Sequence, residues 1–330
     1  MQATPKSPLR RRMLLSSILA SYASRSMASD INYPTRAIRI VVPSGAGGFA
    51  DITARAVALE MGETLRQHVY IENKPGAGGI VGTLAGARAQ PDGYTLLRGA
   101  LGTLVVLPII ESNIGYDVAR DFKPVGMVSS PAFGLVVRAA MPVNDFASFI
   151  AYVRAKPGEL NYGSAGKTSL PHLSMELLKH HANLDLKHIP YRSGSESVTA
   201  VVSGEIDATF DALAVVAPFV HTGQLKLLAL ASPQRSPLAP HVPTTNELGY
   251  PDVVTGGWSA LLVPSATPVG ILDTLSRALQ KLLATPDFRK KLELSGDHVY
   301  AGTAQEYETL FAAEKARWTS ILHMKNILAE

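Results

Sequence analysis

The sequence predicts an α/β protein of two lobes, each built on a central, mostly parallel sheet with helices on its faces. Strand-like and helix-like segments alternate from Ala37 onward, the pattern that layers helices on a parallel sheet. At 330 residues the chain exceeds the size at which one hydrophobic core stops growing, which favours two domains. Each half also places a Gly-rich turn between a strand and a helix, and open α/β sheets bind ligands at such strand ends.

Taken in order, residues 38–42 form an apolar run of the kind a buried parallel strand shows. Pro43 ends it, and the turn Ser44-Gly45-Ala46-Gly47-Gly48 leads into a helical stripe over 51–65 (Ile52, Ala56, Leu59). A strand at 69–71, a second turn at Gly76-Ala77-Gly78-Gly79, a helix to about Ala89 and a strand at 94–97 follow. Two strands fill 125–137, with Ser129-Ser130-Pro131 expected to separate them. A new series then runs: helix 145–156, strand 160–162, turn 163–168, helix 171–181, strand 188–191 and helix 195–203. Strands at 206–210 and 225–231 precede a proline-rich loop over 232–251, and a strand at 258–263 and helices at 269–284 and 303–321 close the chain. The expected division is 30–128 with 258–330 as lobe 1, and 129–257 as lobe 2.

The first 28 residues read as an export leader. Arg10, Arg11 and Arg12 precede the short apolar stretch 13–23, and Ser26-Met27-Ala28 supplies small residues for cleavage. The adjacent arginines also suit the twin-arginine route for folded cargo. Those 28 residues carry five basic side chains and no acid, so removing them turns a net charge of +4 into −1, with 26 basic residues against 27 acidic. No basic footprint for nucleic acid remains. Hydrophobic residues make up 46% and charged ones 18%, a globular profile, and no apolar run nears the ~20 residues of a membrane span. There is no cysteine, which removes disulfides and thiolate metal sites.

The strongest local feature runs from Pro43 to Asp51. Its glycines let backbone amides turn inward, and the following helix adds partial positive charge, so the turn suits a carboxylate or a phosphate. Asp51 reads as a helix cap. Gly45-x-Gly47-x-x-Ala50 also fits a dinucleotide fingerprint, with Glu72 ending the next strand where a ribose-binding acid belongs. That is the enzyme alternative, an exported dinucleotide-dependent oxidoreductase, and Pro43 at the strand–turn junction weakens it. In the second half, residues 161–169 resemble a Walker A loop, but Asn161 stands where the first glycine must be. What remains is a donor-rich turn with the hydroxyls of Ser164, Thr168 and Ser169. Gly257-Trp258-Ser259-Ala260 begins like a nucleophile elbow, and Leu261 replaces its last glycine. His180 and His181 are adjacent rather than at the spacing of a helical metal pair. His172 could reach a ligand beside the second turn, and Asp211 could accept a hydrogen bond at its strand end. No nucleophile, base, metal or cofactor site emerges.

At these residues the chain resembles the receptors of tripartite tricarboxylate transporters, the Bordetella uptake-gene type of periplasmic binding protein. The carriers are Tyr33-Pro34, Pro43 through Arg55, Asn73 through Gly79 and Pro91 through Leu96, then Asn161 through Ser164 and Ile189 through Arg192. Gly204 through Asp207, Arg235 through Pro251 and Glu314 with Arg317-Trp318 complete the match. The resemblance implies a type II Venus flytrap, monomeric and non-catalytic, that closes on a small organic acid. It would deliver that acid to the membrane permease subunits of a tripartite transporter or to a sensor. It also implies that the two Gly-rich loops of lobe 1 hold one carboxylate, partly through water, and that the Ser164–Ser169 turn holds the other end. The expected ligand set is Ser44, Gly47, Gly48, Phe49, Ala50, Gly78, Gly79 and Thr103 in lobe 1, with Ser164, Ala165, Gly166, Thr168, Ser169, His172 and Asp211 in lobe 2. Phe49-Ala50 stands where relatives often carry small or hydroxylated residues, and Thr103-Leu104…Leu107-Pro108 replaces a more polar segment. Both changes favour a monocarboxylate or aromatic carboxylate over a tricarboxylate. Glu196, where relatives carry a small residue or proline, would repel a second carboxylate or receive an amine.

Overall fold

The computed structural model describes residues 32–232, 234–253, 257–294, 296–300 and 302–325, so the leader expected at 1–28 lies outside the described residues. The strands are β1 (Ile38–Val42), β2 (Val69–Asn73), β3 (Thr95–Ala100), β4 (Phe122–Pro131), β5 (Phe133–Arg138) and β6 (Asn161–Ser164). They continue as β7 (Lys187–Pro190), β8 (Ala208–Ala212), β9 (Leu225–Ala231), β10 (Ser259–Pro264) and β11 (Asp297–Val299). The helices are α1 (Phe49–Leu65), α2 (Ile80–Ala87), α3 (Leu107–Ile110), α4 (Val118–Asp121), α5 (Phe146–Arg154) and α6 (Leu170–Ala182). After these come α7 (Gly194–Ser203), α8 (Leu213–His221), α9 (Val269–Ala284), α10 (Pro286–Glu293) and α11 (Ala304–Lys325).

Two sheets result, in the orders β11-β4-β10-β3-β1-β2 and β7-β6-β8-β5-β9. This is the two-lobed α/β architecture, with one correction: the sheets are mixed rather than mostly parallel. β1 runs parallel to β2 and β3, and β6 parallel to β7 and β8, as βαβ crossovers require. The strands that carry the chain between sheets run against them. β10 is antiparallel to β3 and β4, and β5 is antiparallel to β8 and β9.

The passage from one sheet to the other is short. β4 continues through Ser129, Ser130 and Pro131, three residues past the expected lobe boundary, and Ala132 alone separates it from β5. The serines belong inside the strand because they have partners. The Ser129 and Ser259 hydroxyls lie 3.1 Å apart in the interior, and Ser130 donates to the Gly257 carbonyl at 2.7 Å. The return runs through 232–258, the proline-rich stretch.

Burial follows the patterns that predicted the elements. Ile38, Ile40, Val41 and Val42 of β1 are all buried, as a central parallel strand demands. α5 begins at a capping box, in which Asp145 accepts the Ser148 N–H at 2.7 Å and the Ser148 hydroxyl oxygen accepts the Asp145 N–H at 3.1 Å. Asp145→Ala should therefore lower the midpoint of a denaturant titration, and an unchanged midpoint would show the cap to be idle.

Candidate functional site

Between the two sheets lies a cavity of about 110 Å3. That is the order of the engineered ~150 Å3 cavity that takes up benzene. Lobe 1 contributes the turn after β1 (Ser44, Gly48, Phe49, Ala50), the end of β3 (Arg98, Ala100) and the stretch after it (Gly102, Thr103). Residues 102–106 there form a π-helical turn continuous with α3, in which the Leu107 N–H donates to the Gly102 carbonyl. Such turns widen the backbone and often sit at functional sites. Lobe 2 contributes Phe133, the residues around the start of α6 (Thr168, Ser169, Leu170, Pro171), Gly194 and Asp211.

The glycines of the first turn serve lobe contact. The Gly45 N–H donates to the Arg192 carbonyl at 2.8 Å, and the Ser195 hydroxyl donates to the Ala46 carbonyl at 3.2 Å. A Cβ on Gly48 would come within 3.2 Å of the Gly194 nitrogen, and one on Gly102 within 2.2 Å of the Thr168 carbonyl oxygen. The Gly47 N–H is also committed, donating to Asp51 Oδ2 at 2.9 Å. Asp51 is not the helix cap expected from the sequence: Gly48 holds that position, and Asp51 sits inside the first turn of α1. Burial pushes its pKa up, but hydrogen bonds from Arg55, the Gly47 amide and Asn73 outweigh that and hold it below the usual carboxylate value.

This packing leaves no room for the pyrophosphate of the dinucleotide alternative, because the N-terminus of α7 occupies the mouth of the turn. Glu72 is committed as well, paired with Arg39 at 2.7 Å and Lys74 at 2.8 Å.

Of the expected ligand set, Ser44, Gly48, Phe49, Ala50, Gly78 and Thr103 line the cavity from lobe 1. Ala165, Thr168, Ser169 and Asp211 line it from lobe 2. The others do not line it. Gly47 faces Ser195, and a Cβ on Gly79 would strike Thr103 Cγ2 at 2.6 Å. The Gly166 carbonyl accepts the Ser164 and Ser169 hydroxyls. Ser164 Oγ meets His188 Nε2 at 2.7 Å. His172 stands behind the second turn, where its Nδ1 accepts the Thr168 N–H at 3.3 Å. Glu196 is exposed and accepts the Arg192 N–H at 3.1 Å rather than facing the cavity.

Several groups in this wall lack partners. Ser44 Oγ, Thr168 Oγ1, Arg98 Nε and Asp211 Oδ2 are buried without a hydrogen bond. Buried polar groups are nearly always satisfied, so four orphans around one cavity mark it as built for a polar guest. Thr168 adds backbone strain, since a β-branched residue at φ +66° is a true outlier. Burial lifts Asp211 to about 7, with the Ala212 amide pulling the other way. Burial lowers Arg98 to about 10, with Asp297 opposing, so the guanidinium stays charged at neutral pH.

Arg98, Phe133 and Leu170 escaped the sequence reading. Arg98 left a signal: it is the one charge in the buried strand Thr95–Ala100, where nothing polar belongs without a purpose. Phe133 and Leu170 left none, because a core phenylalanine and a cavity phenylalanine look alike in sequence.

Comparison with known proteins agrees with this architecture. Residues 53–327 match the model of the tripartite tricarboxylate transporter family receptor. Among curated relatives, a protein of Cupriavidus necator encoded in the gbd 5′ region is 36% identical, over 89% of each chain. Protein BugT of Bordetella pertussis is 30% identical, over 94% of this chain and 96% of its own. Among solved structures, the periplasmic binding protein BugD superposes with a TM-score of 0.85 at 30% identity, covering 89% of this chain and 99% of its own. An R. palustris protein solved with adipate gives 0.86 at 30% identity, with the same coverage. MatC from Rhodopseudomonas palustris, solved with malate, gives 0.83 at 31%, covering 88% of this chain and 100% of its own. The chain belongs to the tripartite tricarboxylate transporter receptor family.

Proposed function

We propose that this protein is an extracytoplasmic solute-binding receptor that captures a small organic carboxylate between its lobes and performs no chemistry on it. The observation that carries this reading is the set of unsatisfied buried donors, Ser44 and Arg98 from one lobe and Thr168 from the other, around a single cavity. Groups on both lobes that are satisfied only by a guest make closure and binding one event. The adipate and malate held by similar proteins support a carboxylate as that guest. Three or four charge-assisted or hydroxyl bonds at about 1.5–3 kcal/mol each cover much of the ~8 kcal/mol behind micromolar binding.

Family membership supports delivery to the membrane subunits of a tripartite transporter, with a sensor as the other downstream partner. It also supports periplasmic residence after loss of the leader at 1–28. Among the described residues no helix is long and apolar enough to cross a membrane.

A thermal-shift and calorimetry panel of mono-, di- and tricarboxylates and amino acids tests the receptor reading. At 100 times its Kd a true ligand should stabilise the fold by about 2.7 kcal/mol, with monocarboxylates and aromatic carboxylates above citrate. Silence across the panel would sink the receptor; citrate on top would sink the ordering.

A further inference from the structure

Among the described residues the cavity wall holds two ionisable side chains, Arg98 and Asp211. Arg98 is 7% exposed. Among the described residues no carboxylate lies within ion-pair distance of it. Its Nε makes no hydrogen bond, and its nearest organised contact is the ring of Phe49, 5.3 Å from the guanidinium carbon. Asp297 acts on its charge only from beyond contact. A buried guanidinium with no anion in contact is a costly arrangement that persists only where something repays it.

The Gly-rich turn that resembled an anion cradle is largely committed elsewhere, with the Gly45 and Gly47 amides already donating to Arg192 and Asp51. The wall is ordered by its contacts. Arg98 lies beside Phe49, Phe49 meets Phe133 edge-on at 6.1 Å, and Phe133 pairs across the β5–β8 ladder with Ala212, the residue after the cavity-lining Asp211. One wall thus carries a cation beside an aromatic pair and, from β8, an acid.

We propose that Arg98 takes the ligand's carboxylate, and that the cavity selects a compact monocarboxylate whose flat apolar body lies against Phe49 and Phe133. This rests on the receptor reading. A planar guanidinium fork suits one carboxylate bidentately, and a second carboxylate would be driven toward Asp211. The apolar ring pair beside the guanidinium excludes long polar acids.

Calorimetric titration of wild type, Arg98→Met and Arg98→Lys with benzoate, benzamide, adipate and citrate tests the assignment. Benzoate should bind wild type best, with neutral benzamide of the same shape weaker by roughly 100-fold. Arg98→Met should lose benzoate affinity by roughly 100-fold while its unliganded Tm rises, because a buried unpaired charge has gone. Arg98→Lys should fall between, keeping the charge without the fork. A merely structural arginine would instead lower the unliganded Tm and leave the benzoate-to-benzamide ratio untouched. Benzoate binding to wild type and Arg98→Met alike would overturn the assignment and leave the receptor reading standing. Adipate or citrate binding more tightly than benzoate would overturn the monocarboxylate class. Failure of every acid on wild type would overturn both readings.

Discussion

Gly102→Ala is expected to weaken ligand binding about 100-fold while leaving the unliganded fold intact. The new Cβ would stand 2.2 Å from the Thr168 carbonyl oxygen and 3.1 Å from its carbon, with Ser169 Cα next. All three atoms belong to lobe 2, so nothing in lobe 1 opposes the methyl group. The backbone at Gly102 is helical rather than left-handed, and alanine there costs no strain and is the better helix former. The added carbon is therefore tolerated when the lobes part and excluded when they meet. On the proposed reading, in which groups from both lobes hold the ligand, a closed state pushed about 3 kcal/mol uphill appears as roughly a hundredfold loss of affinity. Gly45→Ala and Gly48→Ala, with closest approaches of 3.1 and 3.2 Å, should show smaller losses. Calorimetry of the best-binding acid, with small-angle scattering for compaction, reads both effects. Unchanged affinity in Gly102→Ala would mean that binding does not need this closure; a collapsed Tm would mean that the glycine serves the fold.

The fold was largely readable because each element obeys one period. The apolar run of β1, the stripe of α1 and the turn chemistry at 44–48 point to one answer. What escaped lacks such a period. Residues 101–110 form a helix with a π turn inside an almost continuous apolar run, which resembles a buried strand as much as a helix. α8 carries Pro218 within it, a residue that in sequence argues against a helix. Ser129-Ser130-Pro131 read as a break because isolated serines and proline punctuate chains, and only the cross-strand partner Ser259 shows why a strand tolerates them.

The site was half legible for a similar reason. Turns announce themselves through glycine, so Ser44, Gly48, Phe49, Ala50, Ala165, Thr168 and Ser169 are expected from the sequence and do line the cavity. Side chains that reach the cavity from strands depend on which face they leave, and an arginine in a strand can face solvent as easily as a ligand. The glycines were read as anion ligands because both roles require a backbone without a Cβ. Only the position of lobe 2 separates a close approach to ligand from a close approach to another lobe.

His172→Gln should make the protein more tolerant of acid, by roughly 3 kcal/mol relative to wild type between pH 7.5 and pH 4.5. Burial first, then the charges of Lys179 and Lys167, push His172 down to about 4. Its neighbour His188 falls to about 3 by burial and by the charges of His172, Lys179 and Lys167, with Glu176 opposing. An unfolded histidine takes its proton near pH 6.5, as about 6.5 is the ordinary value. A lowered folded value therefore gives stability that is present above that pH and lost as pH falls toward 4. Asp211 and Asp297 act in the opposite sense. Burial lifts both to about 7, so the native state holds protons that the unfolded chain releases above about 4, and acidification from 7 to 4 stabilises. In wild type the two slopes oppose each other below about pH 6.5. Glutamine at 172 removes one histidine's share of the loss and can still offer an oxygen to the Thr168 N–H. The wild-type ring accepts that N–H only while Nδ1 is unprotonated, so acid should also loosen the turn that presents the Thr168 hydroxyl to the cavity. Denaturant titrations of both proteins at the two pH values measure the difference. Parallel shifts in the two proteins would show that His172 takes no part in the acid response.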